Sequence, residues 1–262
     1  MLKTTRRTFI TNLITLTASA SLPLIPTFFS NAMSISQNTD RPKLLIFDVN
    51  ETLLDLSPMK NRMNEVFGHE YAFKQWFSLM LQYSLVDNVT GQYHNFGEIG
   101  KAAFQMTEEI LGKKVSESDM EKTLKMIRSL PAHPDVAPAL QKLKDAGYRM
   151  VTLTNSTEEV VKEQMESAGL TKYFERLLSI DPMKKYKPAL ETYRQATQML
   201  GVLPEEAMLI AAHGWDVTGA LHAGLQAAFV DRPGQVQYPL APEVAFKSQT
   251  LSGIAEKLFK IG

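Results

Sequence analysis

The side chains able to do chemistry fall in four short segments, each following an apolar run. Leu44-Leu45-Ile46-Phe47 leads into Asp48, with Asn50 two residues on and Thr52 four residues on. Tyr148 to Leu153 leads into Thr154-Asn155. Met183 to Pro188 supplies the cations Lys184, Lys185 and Lys187 and an aromatic, Tyr186. Ala207 to Ala212 leads into His213-Gly214-Trp215-Asp216. A carboxylate that closes a buried strand serves either as a metal ligand or as a nucleophile. The residue two positions on helps to decide, and here it is Asn50 rather than a second acid. That difference argues against ordinary phosphate-ester chemistry.

These segments need a scaffold that brings them together. An apolar run of four to six residues without helical spacing reads as a buried strand of a parallel sheet. The chain alternates such strands with helices: Val136–Asp145, a strand to Asn155, Glu158–Ala168, the strand Arg176–Ser179, Ala189–Leu200, the strand Ala207–Ala212, Val217–Ala223, and Ala227–Val230 as the last strand. Gly147, Gly169 and Gly201 terminate three of the helices. This rhythm predicts an α/β fold, a doubly wound, Rossmann-like parallel sheet with helices on both faces. Ligands bind at the carboxyl ends of the strands in such sheets, where all four segments converge. Between Ser57 and Leu130 the apolar residues recur at helical spacing only, as in Phe73, Trp76, Phe77 and Met80. The expected organisation is therefore a core of residues 43–56 and 131–262 carrying a helical cap at 57–130.

Each segment alone has a plainer reading. A lysine before proline is a solvated charge, Thr-Asn is a turn or cap, and Asp216 is a helix N-cap. The order Asp, Thr-Asn, Lys-Pro, Asp on successive strand ends is harder to obtain by chance. On these motifs the chain resembles the haloacid dehalogenase superfamily, and within it the type II 2-haloacid dehalogenases. The likeness spans nearly all of residues 43–258. It rests on Phe47-Asp48-Val49-Asn50-Glu51-Thr52-Leu53, Leu153-Thr154-Asn155-Ser156, Ser179-Ile180-Asp181-Pro182 through Tyr186-Lys187-Pro188 and Tyr193, and Gly214-Trp215-Asp216-Val217.

The resemblance implies hydrolytic dehalogenation of small 2-haloalkanoic acids to 2-hydroxy acids through an aspartyl ester. Asp48 is then the nucleophile, and Lys187 keeps it ionised. Thr52 and Thr154 supply hydroxyl hydrogen bonds, assisted by Asn155. Asp216, with Lys187, orients the hydrolytic water, and Tyr193 supports the site. Phosphatases of the superfamily use an aspartate at the Asn50 position as the acid for the leaving alkoxide, together with Mg²⁺. Halide leaves without a proton, so no cofactor and no metal site are expected. A Mg²⁺-dependent phosphatase is the alternative, and hydrolysis of another C–N or C–O bond in a small carboxylic acid is a further one.

Two positions depart from that family. Phe77 stands where an arginine usually faces the departing halide, and His213 where an asparagine is usual. His213 could then donate to halide within an apolar cradle of Phe77 and Trp215, activate water, or simply be satisfied by local backbone. His69, His94, His133 and His222 show no ligand spacing, so no zinc site is expected.

Composition sets the outer bounds. At 262 residues, with 44% hydrophobic and 21% charged residues, the chain can bury a sizeable core. It has no cysteine, which excludes thiolate chemistry and disulfides. Residues 1–32 hold Lys3, Arg6 and Arg7 and no acid, so the remainder carries 25 of the 28 bases against 28 acids. That slightly acidic body gives no electrostatic case for nucleic acid. The adjacent arginines precede a weakly apolar Thr/Ser/Ala-rich stretch and the small residues Ser30-Asn31-Ala32. The pattern resembles a signal peptide (1–32) read by the twin-arginine export machinery, ahead of a flexible lead-in at 33–42. It predicts a periplasmic protein, or a cytoplasmic one if translation starts at Met33. A membrane-anchoring helix is the competing reading, opposed by Pro23 and Pro26. The apolar cap helices could also form a homodimer contact.

Overall fold

Leu44–Phe47 form the first strand, β1, four residues with no exposed surface. Such a strand is stable only with a partner on each side and cover on both faces. The structure, a computed structural model describing residues 41–261, provides all of these. β2 (Arg149–Thr154) and β4 (Ala207–Ala211) both pair parallel with β1, one on each side. β3 (Arg176–Ser179) extends the sheet beyond β2, and β5 (Gln226–Val230) extends it beyond β4. The order is β3-β2-β1-β4-β5-β6, so the winding reverses at β1. A crevice opens at that reversal, at the carboxyl ends of the strands. Asp48 follows β1 directly.

The segment between β1 and the next core helix is helical, without a strand of the sheet. It comprises α1 (Ser57–Phe67), α2 (Ala72–Thr90), α3 (Phe96–Leu111), α4 (Glu117–Lys125) and a 3₁₀ turn at Met126–Ser129. The core then continues with α5 (Val136–Asp145), α6 (Glu158–Ser167), α7 (Leu190–Met199), α8 (Gly214–Ala223) and α9 (Leu251–Leu258). α5 packs with α9 and α7 with α8 as helix pairs covering the sheet. One continuous apolar cluster joins the strands to the helices of the insertion, from Leu44 through Met59, Trp76 and Phe104 to Leu258.

Two expectations need correction. Ala227–Val230 is not the last strand: Phe246–Ser248 adds β6, parallel to β5. Its three residues are too short, and too weakly alternating, to announce a strand. α8 begins at Gly214, three residues earlier than expected, with His213 as its N-cap residue. Asp216 is therefore inside the first turn and does not cap the helix. Residues 1–40, with the expected export signal, most of the lead-in and the alternative start Met33, lie outside the described residues. No helix among the described residues is long and apolar enough to cross a membrane.

The α7–α8 contact is tight because Gly219 has no side chain. A Cβ added there would stand 2.5 Å from Pro188 Cβ and 2.8 Å from the Tyr193 hydroxyl, well inside van der Waals contact. Gly219→Ala should therefore lower stability by about 1–3 kcal/mol, the usual cost of overpacking. Its thermal midpoint should fall several degrees below that of the wild type, and an unchanged midpoint would contradict this packing.

Candidate active site

Lys187 comes from the loop before α7 and is buried to 1% exposure. Its ammonium lies 2.9 Å from Asp48 Oδ1 and 2.6 Å from Asp216 Oδ2. A buried ammonium is tolerated only when carboxylates replace its lost hydration. The loop is held in place by hydrogen bonds from both sides. Asn155 Oδ1 accepts from the Lys187 amide at 3.0 Å, and its side-chain amide donates to the Lys187 carbonyl at 3.4 Å. From α2, Asn88 accepts from the Tyr186 amide and donates to the Tyr186 carbonyl. Tyr186 donates its hydroxyl to the His94 carbonyl, and Tyr93 donates to Asp181 at 2.5 Å. The helical insertion thus helps to place the lysine of the core.

Asp48 is 4% exposed and is ringed by donors. Thr52 Oγ1 donates to its Oδ2 at 2.7 Å and itself accepts from the Ala212 amide at 2.9 Å, which fixes the direction of the hydroxyl proton. His213 Nδ1 is 3.1 Å from the same Oδ2, and His213 Nε2 is 2.8 Å from Glu51 Oε2. Burial alone would push the Asp48 carboxyl up, but the Lys187 charge and the His213 and Thr52 hydrogen bonds overturn this and hold it far below the usual carboxylate range. Burial likewise works against charge on His213, yet hydrogen bonds to Asp48 and Glu51 raise it to about 10. At Asp216 burial, seconded by the Asp48 charge, outweighs Lys187 and raises the carboxyl. The Tyr193 hydroxyl, raised by burial and by Asp216, donates to Asp216 Oδ1 at 2.5 Å.

The structure gathers most of the expected residues around Asp48, with differences in what each touches. Thr52, Lys187, Asp216, Tyr193 and His213 form one connected network. Phe77 and Trp215 both pack near-parallel to the His213 ring, with centroids 6.0 and 5.1 Å away and planes tilted by 27° and 21°. Both His213 nitrogens face carboxylates, Nδ1 that of Asp48 and Nε2 that of Glu51. Thr154 Oγ1 accepts from the Ser156 amide at 3.2 Å. Asn50 is turned away from Asp48, donating to Ser156 Oγ at 3.2 Å and accepting from Gln164 Nε2 at 2.9 Å.

Three contributors escape sequence reasoning. Glu51 sits in the opening motif but at a backbone φ of 59°, where side chains are rare. Gln164 looks like one more polar helix residue, although its heptad-like neighbours Val161 and Met165 are buried. Arg232, after β5, donates through Nε and Nη2 to the Thr52 carbonyl and through Nη1 to Asp135 at 2.8 Å. A cavity of about 210 Å³ adjoins this network between insertion and core, lined by Asn50, Trp76, Phe77, Met80, Phe96 and Ser156 among others.

The charge on His213 has a consequence for stability. An unfolded histidine loses its proton near 6.5, whereas the folded one holds it to about 10. Between those pH values the native state binds a proton that the unfolded chain does not, so stability falls as pH rises through this window. Denaturant titrations at pH 6, 8 and 10 should show that decline in the wild type and a flatter profile in His213→Asn. Parallel profiles would contradict an imidazolium at this position.

The sequence and the fold have counterparts among known proteins. The family model of haloacid dehalogenase-like hydrolases matches residues 42–224. The (S)-2-haloacid dehalogenase 4A of Burkholderia cepacia is 29% identical over 206 residues, covering 78% of this chain and 89% of its own. The (S)-2-haloacid dehalogenase of Xanthobacter autotrophicus is 28% identical over 215 residues, covering 79% of this chain and 84% of its own. The solved L-2-haloacid dehalogenase of Xanthobacter autotrophicus shares the fold, with a TM-score of 0.78, 23% identity, and coverage of 84% of this chain and all of that one. With the match over residues 42–224, this chain belongs to the haloacid dehalogenase-like hydrolases.

Proposed function

We propose that the protein hydrolyses the carbon–halogen bond of small 2-haloalkanoic acids. The observation that carries this reading is an Asp48 carboxylate held ionised by Lys187 while Asn50, the only side chain at the acid position, is engaged with Ser156 and Gln164. Such a site can attack carbon, and Asn50 cannot protonate the alkoxide leaving a phosphate ester. Asp48 displaces halide, which departs with the bonding electron pair, and an ester forms. Water then attacks Asp48 Cγ and gives one proton to Asp216, whose raised basicity suits that task. Collapse expels the 2-hydroxy acid's oxygen, which takes the proton from Asp216. The regenerated Asp48 carboxyl loses the second proton, so halide and one proton are the balance of the reaction.

Lys187 and His213 also offset the charge of an incoming carboxylate substrate. The Trp76, Phe77, Met80 and Phe96 side of the adjoining cavity suits a short alkyl chain, and Arg128 is among its polar lining residues. The donor set does not fit Mg²⁺. The Asp48 oxygens face an ammonium and an imidazolium, and the Asn50 carbonyl is committed to Gln164. The Arg6-Arg7 pattern supports export of this activity to the periplasm by the twin-arginine route.

Purified protein given (S)-2-chloropropionate, chloroacetate or a generic phosphomonoester should release chloride from the haloacids at a rate unaffected by EDTA. Asp48→Asn should lose that activity by at least about 10³-fold, as expected on removal of a covalent nucleophile. Phosphate release that requires Mg²⁺, without chloride release, would overturn the proposal.

A further inference from the structure

Glu51 has no part in the reaction as drawn, yet the chain holds it in a conformation that costs energy. Its φ of 59° lies in the left-handed region, disfavoured for a side chain with a Cβ. Such strain persists where surroundings over-determine it, and the contacts of Glu51 show what they hold. Its Oε2 lies 2.8 Å from His213 Nε2 and accepts from Gln235 Nε2 at 3.0 Å. Its backbone carbonyl accepts from His133 at 3.2 Å.

The ring between Glu51 and Asp48 bonds a carboxylate oxygen at each nitrogen. Both bonds require a proton on nitrogen, and only an imidazolium carries two. Asp48 therefore presents two unlike oxygens. Oδ1 meets the Lys187 ammonium alone; Oδ2 takes both the Thr52 hydroxyl and His213 Nδ1. The less encumbered Oδ1 is the better nucleophile. Once it has bonded to carbon, Oδ2 is the ester carbonyl oxygen. When water attacks Cγ, the carbonyl electron pair moves onto Oδ2, between two donors already aimed at it. Donors fixed before the charge develops are what stabilises an oxyanion.

We propose that His213 and Thr52 form the oxyanion site for hydrolysis of the Asp48 ester, and that Glu51 is the positioning residue that keeps His213 doubly protonated and in place. The inference rests on the ester reading above. The charged and titratable groups around His213 are Asp48, Glu51 and, through Asp48 and across the Trp215 ring, Lys187. His133 and Arg232 stand behind the Glu51–Thr52 turn. Glu51 is also the route from this network to water. Its side chain keeps 21% of its surface exposed, against 4% for His213 and 6% for Asp48, and it lines a second cavity of about 390 Å³ with Asp55, Lys60, His133 and Arg232.

Glu51→Gln keeps the shape and removes the charge; Glu51→Gly removes the side chain and relieves the strain. Single-turnover reactions with 2-chloropropionate, quenched with acid and weighed by mass spectrometry, report the ester on the protein. In Glu51→Gln the ester should form at close to the wild-type rate and persist roughly 10- to 100-fold longer, less than the 10²–10³-fold expected for outright loss of an oxyanion donor. Imidazole ¹⁵N NMR should show His213 doubly protonated above pH 8 in the wild type and titrating at lower pH in both variants. Glu51→Gly sets the lost ion pair against the relieved strain, and a long-lived ester in a variant that still folds separates this role from a structural one. If Glu51→Gln leaves both ester lifetime and His213 titration unchanged, the proposal is overturned. If the wild-type protein releases chloride without ever carrying an ester, the ester reading fails with it, whereas a normal ester with an unshifted titration refutes the Glu51 role alone.

Discussion

One ammonium group, buried between two carboxylates, organises this end of the molecule. Removing Lys187 would leave two buried carboxylates without the ammonium they share, which is far more costly than the ion pairs are worth. That constraint reaches into the fold. Asp48 must follow β1, Asp216 must lie in the first turn of α8, and the Lys187 loop must pass between them. The Asn155 amide, the Asn88 amide and the missing side chain of Gly219 are the means by which it does so. The sheet supplies the place, since its winding reverses at β1, and the insertion supplies a cover that excludes water and so strengthens every charge interaction beneath it.

The second cation, His213, gives the site its particular character. A neutral hydrogen-bonding residue at that position would leave Asp48 with one positive neighbour. An imidazolium packed against Phe77 and Trp215 gives it two, and an aromatic face favours a cation beside it. Phe77 therefore has a role although it carries no charge: it covers the ring that does. The price is a third acid, Glu51, in a strained turn. Positive charge in this site has thus been placed on the nucleophile's own side.

Much of this could be read from the chain because strand ends are strongly marked. An apolar run that stops at Asp48, or at Thr154, fixes both a strand and the edge on which the next polar residue must lie, and glycines at 147, 169 and 201 set the helix ends. The same rhythm brings the segments of Lys187 and Asp216 to that edge, whereas the part of Tyr193 comes from the family resemblance. What escaped had local causes. β6 has three residues with no apolar run. The α8 start depends on a tight approach of the 236–238 backbone to Gly214, a long-range contact that no local pattern encodes. Thr154 and Asn50 were given roles by residue type, whereas their partners, Ser156 and Gln164, are set by side-chain rotamers. Glu51 was visible in the opening motif, but only its backbone dihedral shows that it is held there against its preference.

The central claim is that an oxygen of Asp48 bonds to substrate carbon. The most direct measurement is a single turnover in H₂¹⁸O with enzyme in excess over 2-chloropropionate, followed by proteolysis and mass analysis of the peptide containing Asp48. That peptide should gain one ¹⁸O, and the first-turnover product should carry unlabelled oxygen. Label in the hydroxy acid alone, with none in the protein, would mean that water attacks carbon directly and would contradict it.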